Sequence, residues 1–294
     1  MRYRLRHRTT YAYENEVGFA RCALRLTPRA SASQTVLESA ITVAPAPSIE
    51  TEQTGAFGAR VLTVTVDTPH TALVIEATAH IDVHTPPAGD PDASPPWETI
   101  RAAALQSADL TTEGPAAFLF AAARTPIVPE ITAYARESFP PGRPIVAGCA
   151  DLNRRIHADF RYDPSATDVS TPVAQAFAAR HGVCQDFAQI MICGLRGLGL
   201  PAAYVSGYLR TIPPPGQPRL EGADATHAWV AVWCGEILRW IGFDPTNAIL
   251  AGDDHLTLAI GRDYADVAPI DGVILASGNQ SLKVEVDVIP EGTS

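Results

Sequence analysis

The feature that most constrains this chain of 294 residues is a cysteine placed between a glycine turn and an apolar helical run. After Gly182 and Cys184, apolar residues recur from Phe187 at the spacing of one helix face, and Pro201 stops the run. The pattern predicts a mostly buried helix with Cys184 in its first turn. Unpaired backbone N–H groups and the positive end of the helix dipole favour a thiolate there, and they can also hold an oxyanion.

A nucleophilic cysteine needs a base, and a downstream segment contains one. Residues 224–233 have the pattern of a strand, in which His227 and Trp229 lie two residues apart and so share a face. We predict that His227 takes the proton of the Cys184 thiol.

A second predicted strand, 238–243, ends in a turn that begins with Asp244. An aspartate at this point can orient the imidazole of His227, although Asp224 lies closer in sequence and is its rival. Taken singly, each residue also has a plainer interpretation. Cys184 is then a core cysteine, His227 a structural histidine and Asp244 a turn residue. Their occurrence together favours the catalytic interpretation.

Four segments in the same order resemble the bacterial transglutaminase-like proteins, which are described as cysteine proteases of the transglutaminase superfamily. The segments are GVCQDFA at 182–188, YVSGY at 204–208, HAWV at 227–230 and GFDPTN at 242–247. The start of the chain also resembles that family's N-terminal β domain. The resemblance implies a papain-like α+β core with a triad of Cys184, His227 and Asp244. One departure is Gln189, where the family often has histidine, and it concerns substrate fit more than the chemistry.

Three further residues are candidates for contacts with the substrate or the oxyanion. Tyr162 lies in a segment that resembles the family's Phe-x-Tyr motif, and we consider it as an oxyanion donor. Trp229 either shields the thiolate–imidazolium pair, donates its indole N–H to the oxyanion, or packs in the core. Gln185 follows the cysteine in the family motif, and its role is open.

The N-terminal region alternates between polar and apolar residues. In residues 2–9, arginines occupy one face and Tyr3, Leu5, His7 and Thr9 the other. Further strands are predicted at 19–26, 35–43, 60–66 and 72–83. Such short alternating strands predict an antiparallel β-sandwich over residues 1–84. A proline-rich stretch at 85–96 predicts a linker, and residues 97–294 are predicted to form the catalytic domain.

Two surface features have alternative interpretations. Residues 1–29 contain seven arginines and two glutamates, a net charge of +5, whereas the whole chain carries −10. This face either docks an acidic partner or is an ordinary solvated surface. The loop 211–223, rich in proline and glycine, either covers a substrate groove or is a plain connection.

Composition argues against several classes of protein. The net charge of −10 disfavours nucleic acid as a partner, no apolar run reaches the length of a membrane span, and the N-terminus lacks the apolar region of a secretory signal. Five cysteines without regular spacing predict free thiols, no metal site and a cytoplasmic protein. A bacterial source is implied only by the family resemblance. Cys22, Cys149, Cys193 and Cys234 are predicted to be core residues.

We therefore predict a cysteine-dependent hydrolase that cleaves a peptide or protein amide through a thioester and needs no cofactor. Acyl transfer to an amine, as in a transglutaminase, is the alternative because its first half-reaction is the same. A non-catalytic binding or scaffold protein, docking through its N-terminal β domain, is the alternative from another class. The sequence predicts no oligomeric state.

Overall fold

The structure, a computed structural model, describes residues 1–87, 89–211 and 224–291. The strands are β1 (Arg2–Val17), β2 (Ala20–Leu24), β3 (Gln34–Ala44), β4 (Ile49–Thr54), β5 (Arg60–Val66), β6 (His70–Val83), β7 (Arg161–Tyr162), β8 (His181–Gly182), β9 (Ala202–Leu209), β10 (Ala225–Trp233), β11 (Trp240–Asp244), β12 (Ile249–Leu250), β13 (His255–Gly261), β14 (Ile270–Ile274) and β15 (Gln280–Glu291). The α-helices are α1 (Trp97–Gln106), α2 (Pro129–Arg136), α3 (Ile145–Asp159), α4 (Val173–Ala179), α5 (Cys184–Gly197) and α6 (Tyr264–Val267).

Two four-stranded antiparallel sheets form the N-terminal β-sandwich, with the orders β15-β1-β6-β3 and β14-β2-β5-β4. Tyr3, Leu5, His7 and Thr9 of β1 are buried, whereas the arginines between them point outward. The predicted sandwich is therefore confirmed. Strand β4 was not among the predicted strands, and all six of its residues are exposed, so its sequence carries no alternation between core and solvent.

The sandwich also contains the last two strands of the chain. Strand β15 pairs with β1 from Arg2 to Tyr13, and β14 pairs with β2. The predicted catalytic domain, 97–294, includes these two strands, and its bounds stay a prediction. Alternation in a sequence reveals a strand but not the strand it pairs with. The linker at 85–96 and the independence of the two parts stay predictions.

The core is a five-stranded antiparallel sheet with the order β12-β11-β10-β9-β13, and helix α5 packs against β9 and β10. Alternate residues of β10 belong to different hydrophobic clusters. Val230 and Val232 join the main core with residues of α5, whereas Trp229 and Ala231 pack with Phe118. This helix on an antiparallel sheet confirms the predicted α+β class. None of the described helices is long and apolar enough to cross a membrane.

The arginines of β1 face carboxylates on the neighbouring strand. Arg2 lies 3.3 Å from Asp82, while Arg6 and Arg8 lie 2.9 Å and 3.7 Å from Glu76. These contacts favour the interpretation of the arginine face as a solvated, charge-balanced surface. Of the predicted loop 211–223, residues 212–223 lie outside the described part of the chain, so its role stays a prediction.

Candidate active site

Helix α5 begins at Cys184, with Val183 as its N-cap residue, as the sequence predicted. The Asp186 carboxylate accepts hydrogen bonds from the Val183 N–H at 2.9 Å and the Thr167 hydroxyl at 2.6 Å. A Cβ atom at position 182 would lie 2.5 Å from the Asp186 Oδ2. Gly182 is therefore needed to leave room for the capping carboxylate, rather than for an unusual backbone angle.

The thiol of Cys184 differs from the other four in its exposure. Cys184 is half-buried, whereas Cys22, Cys149, Cys193 and Cys234 are buried, which confirms their assignment to the core. Burial raises the pKa of Cys193 and that of Cys234 to about 12. Among the five thiols, reagents in solution therefore have the best access to Cys184.

His227 lies between Cys184 and Asp244. Its Nε2 is 2.8 Å from Asp244 Oδ2. The Cys184 side chain is the second polar neighbour that acts on the ring. Burial by itself would lower the pKa of His227. The hydrogen bonds and negative charges of Asp244 and Cys184 outweigh that effect and raise the pKa to about 9. The ring therefore holds a proton at neutral pH.

The Asp244 carboxylate is fully buried but well supplied with donors. Its Oδ1 accepts the backbone N–H groups of Thr246 at 2.9 Å and Asn247 at 3.2 Å, and its Oδ2 accepts the Asn247 side-chain amide at 2.7 Å. Burial favours the protonated acid. Hydrogen bonds from His227, His255 and Asn247 overcome this and hold the pKa of Asp244 well below its usual range.

The rival carboxylate, Asp224, joins a different part of the hydrogen-bond network. It is buried and accepts the backbone N–H groups of Thr211 at 2.7 Å and Val288 at 2.6 Å. It thereby ties the start of β10 to β15. The carboxylate bonded to His227 Nε2 is that of Asp244.

His255 is a member of the site that the sequence reasoning missed. Its Nε2 lies 3.2 Å from Asp244 Oδ2, and its Nδ1 accepts the Gly252 backbone N–H at 3.2 Å. Because Nδ1 accepts, the ring proton sits on Nε2 and is donated to Asp244. The segment DDH at 253–255, just before an alternating strand, was the available signal in the sequence. It does not reveal which strands lie side by side, and so does not place His255 next to Asp244.

The side chains of His227, Asp244 and His255 offer metal-type ligand atoms within 4.8 Å of one another. All three atoms already take part in the hydrogen bonds from the two Nε2 atoms to Asp244. A divalent cation would have to displace both ring protons. This donor set fits a hydrogen-bonded chain, and the absence of a bound metal stays a prediction.

Tyr162 lies beside the nucleophile turn. The short parallel pair β7–β8 sets Tyr162 opposite Gly182, and the Asp163 N–H donates to the Gly182 carbonyl at 2.9 Å. Tyr162 is 53% exposed, so its side chain faces solvent beside the nucleophile turn. Partial burial and the charge of Cys184 raise the pKa of Tyr162. The phenol therefore remains a hydrogen-bond donor at neutral pH.

The other two accessory candidates are buried. The indole of Trp229 stacks on the His227 ring, with centroids 6.1 Å apart and an interplanar angle of 27°. The amide of Gln185 donates to the carbonyl of Val169 at 3.5 Å. Gln189 is also buried. Trp229 is therefore placed to shield the imidazolium, and Gln185 to hold the loop that carries Val169.

Two family matches cover most of the chain. Residues 3–82 match the bacterial transglutaminase-like N-terminal region, and residues 134–245 match the transglutaminase-like superfamily. An uncharacterised protein of Mycobacterium tuberculosis is 41% identical, with 98% of this chain and 93% of that protein covered. The chain belongs to the transglutaminase-like superfamily.

Two further proteins are similar to this chain, one in structure and one in sequence. A crystal structure from Cytophaga hutchinsonii, named as a candidate cysteine protease, has a TM-score of 0.71 and 21% identity, and covers 100% of this chain and 92% of its own. That likeness shows the fold. A protein-glutamine gamma-glutamyltransferase of Pseudomonas aeruginosa is 32% identical over 127 residues, which are 37% of this chain and 19% of that protein.

Proposed function

We propose that this transglutaminase-like protein is a cysteine-dependent amide or peptide hydrolase whose triad is Cys184, His227 and Asp244. The observation that carries the proposal is the contact of one buried imidazole with two partners. One is a half-buried thiol in the first turn of a helix, and the other is a buried carboxylate at 2.8 Å. This is the arrangement that nucleophilic catalysis by a thiol requires.

In the acylation step, the Cys184 thiolate attacks the carbonyl carbon of the amide, and the carbonyl oxygen becomes an oxyanion. The imidazolium of His227 then gives its proton to the leaving amine as the carbon–nitrogen bond breaks and a thioester forms. In deacylation, water gives a proton to neutral His227 and attacks the thioester. The carbon–sulfur bond then breaks, and the carboxylic acid departs. Cys184 is left as a thiolate beside His227, which keeps the proton taken from water, so the ion pair is restored. No cofactor enters either step.

The oxyanion needs donors that point at the reacting carbon. The first N–H groups of a helix have no partner within the helix, so the Cys184 N–H is one candidate. The exposed phenol of Tyr162 is a second, because the β7–β8 pair holds it at the nucleophile turn. We propose a structural role for Gln185, which lies behind the nucleophile, and a shielding role for Trp229.

Transfer of the acyl group to an amine is the second candidate, favoured by the similarity to the Pseudomonas aeruginosa gamma-glutamyltransferase over 127 residues. Both reactions share the thioester, so they differ only in whether water or an amine resolves it. We propose that the substrate is a peptide or protein amide. We also propose that the protein is located in the cytoplasm. The net charge of −10 disfavours nucleic acid as a partner.

A library of peptides and simple amides, offered with and without a primary amine, tests the proposal. We expect release of free acid and a thioester on Cys184 that mass spectrometry detects after acid quenching. The Cys184→Ala variant should be folded and inactive. Incorporation of the amine in preference to acid release would replace hydrolysis with transfer. Binding of peptides without any thioester would instead support a binding or scaffold protein.

A further inference from the structure

Both nitrogen atoms of the His255 ring are occupied. Nδ1 accepts the Gly252 N–H, Nε2 donates to Asp244, and the side chain is only 3% exposed. The ring packs edge-on against Trp229, with centroids 5.1 Å apart. A ring enclosed in this way has no free atom for a substrate. Any effect of His255 on the chemistry must therefore pass through Asp244.

Strand β13, which begins with His255, lies at the edge of the core sheet. On the outer side of β13, the N-terminal region supplies hydrogen-bond partners for the strand backbone. The Gln34 side-chain amide donates to the Thr257 carbonyl at 2.8 Å and accepts the Thr257 N–H at 2.8 Å. The Arg29 N–H donates to the same carbonyl at 3.0 Å. Gln34 is buried, so its hydrogen bonds to the edge of β13 are shielded from water.

The two residues before His255 bind the sandwich as well. The Asp253 carboxylate accepts the backbone N–H of Thr85 at 2.7 Å, and the Asp254 carboxylate accepts the Tyr3 hydroxyl at 2.8 Å. Three consecutive residues therefore connect the N-terminal sandwich on one side with Asp244 on the other. The sandwich and the triad are joined through one short segment.

We propose that His255 is a positioning residue for the triad and that the N-terminal sandwich holds it in place. Its Nε2–H keeps the buried Asp244 carboxylate ionised and correctly turned. The ionised Asp244 in turn keeps the proton on His227 opposite the Cys184 thiolate. The inference rests on the proposed thiol chemistry, and it adds a second histidine and a function for the N-terminal region.

The test measures the rate at which iodoacetamide alkylates Cys184 across a range of pH, which requires no substrate. In His255→Phe, an apolar ring replaces a donor beside Asp244, so the pKa of that carboxyl rises and its hold on His227 weakens. We expect the rate at neutral pH to fall by about tenfold and the midpoint of the pH profile to rise by about one unit. His255→Gln can still donate an amide N–H to Asp244 and should restore most of the rate.

A matched control separates positioning from general stability. His7 is another buried histidine, on β1 of the sandwich, and it is hydrogen-bonded to Thr9 of the same strand and to Tyr208 of β9. His7→Phe should lower stability while it leaves the alkylation profile unchanged. A pH profile in His255→Phe that matches the wild type would overturn the positioning role. A change in the alkylation rate of the wild-type protein on addition of EDTA would also overturn it, because it would point to a bound metal in place of the hydrogen bonds. Absence of a fast-reacting Cys184 in the wild type would instead contradict the proposed function.

The part assigned to the sandwich is tested at Gln34. Gln34→Met keeps the length of the side chain but loses both hydrogen bonds to Thr257, so the pH midpoint should move in the same direction as in His255→Phe, by less. Gln53→Met, on an exposed strand of the same sandwich, is the control and should match the wild type. An unchanged midpoint in Gln34→Met would show that the sandwich does not hold His255.

Discussion

A single buried proton decides whether this site can work at neutral pH. The ring of His227 is almost fully buried, and burial alone would favour the neutral imidazole. The nearby Asp244 carboxylate reverses that preference because it is itself held ionised by several donors. The protonation of His227 therefore depends on the buried donors around Asp244.

Replacing Asp244 by asparagine should expose this dependence. Without the anion, burial is opposed only by Cys184, so the pKa of His227 falls from about 9. The alkaline limb of the activity profile should then move to lower pH, and kcat/KM should drop by about 10²-fold to 10⁴-fold. The melting temperature shows whether the fold survives. Asp224→Asn is the control, and a larger loss of activity there would contradict the role of Asp244.

Gly182→Ala tests the start of α5. The new Cβ would lie 2.5 Å from the Asp186 Oδ2, so the carboxylate must move and lose its hydrogen bond to the Val183 N–H. We expect a loss of about 1 to 2 kcal/mol in the free energy of unfolding, measured with urea. Gly18→Ala is the control, since a Cβ there meets nothing within 4 Å. Equal stability of the two variants would argue against the steric account.

At the scale of elements, α5 is fixed at both ends by polar groups inside the core. Near its C-terminal end lies Arg196, whose side chain is buried. Its guanidinium donates to the carbonyl groups of Phe118, Ala202 and Arg262, at 2.7 to 3.1 Å. Burial lowers the pKa of Arg196 to about 10, so it remains charged at neutral pH.

Arg196→Met should leave those buried carbonyl groups without their donor. We expect a loss of about 3 to 5 kcal/mol in the free energy of unfolding, and no change in the alkylation profile of Cys184 at the other end of the helix. Arg154→Met on α3 removes an exposed arginine and should cost less than about 1 kcal/mol. A similar small loss in Arg196→Met would contradict the anchoring role.

The elements themselves were largely predictable, whereas their partners were not. Alternation identified β1 because Tyr3 and Leu5 face a core while arginines face water. The cysteine helix followed from its own apolar spacing. His255 and Arg196 were beyond reach, because their roles depend on contacts with residues distant in sequence. For the same reason, alternation could not show that β14 and β15 pair with strands at the other end of the chain.

At the scale of the whole molecule, the sandwich and the core meet through buried polar contacts. One of them joins His7 Nδ1 of β1 to the hydroxyl of Tyr208 of β9 at 2.9 Å. Burial lowers the pKa of His7 from 6.5 to about 4 in the folded protein. The two parts are therefore held together by a histidine that must stay neutral.

This histidine should make stability depend on pH. Above pH 6.5 His7 is neutral whether the chain is folded or not, so its contribution is complete. As the pH falls towards 4, the unfolded chain binds a proton that the folded one excludes, and about 3 kcal/mol is lost. Urea titrations of the wild type and His7→Phe across this range provide the measurement. An equally steep loss in His7→Phe would contradict the assignment.

The most direct measurement of the central claim is the order in which the five thiols of the native protein react with iodoacetamide, followed by peptide mass spectrometry. The account predicts that Cys184 is alkylated first, because it is half-exposed beside a protonated His227 at a helix N-terminus. Cys193 and Cys234 should react only after unfolding, since burial raises the pKa of each to about 12. Alkylation of either one before Cys184 would contradict the assignment of the nucleophile.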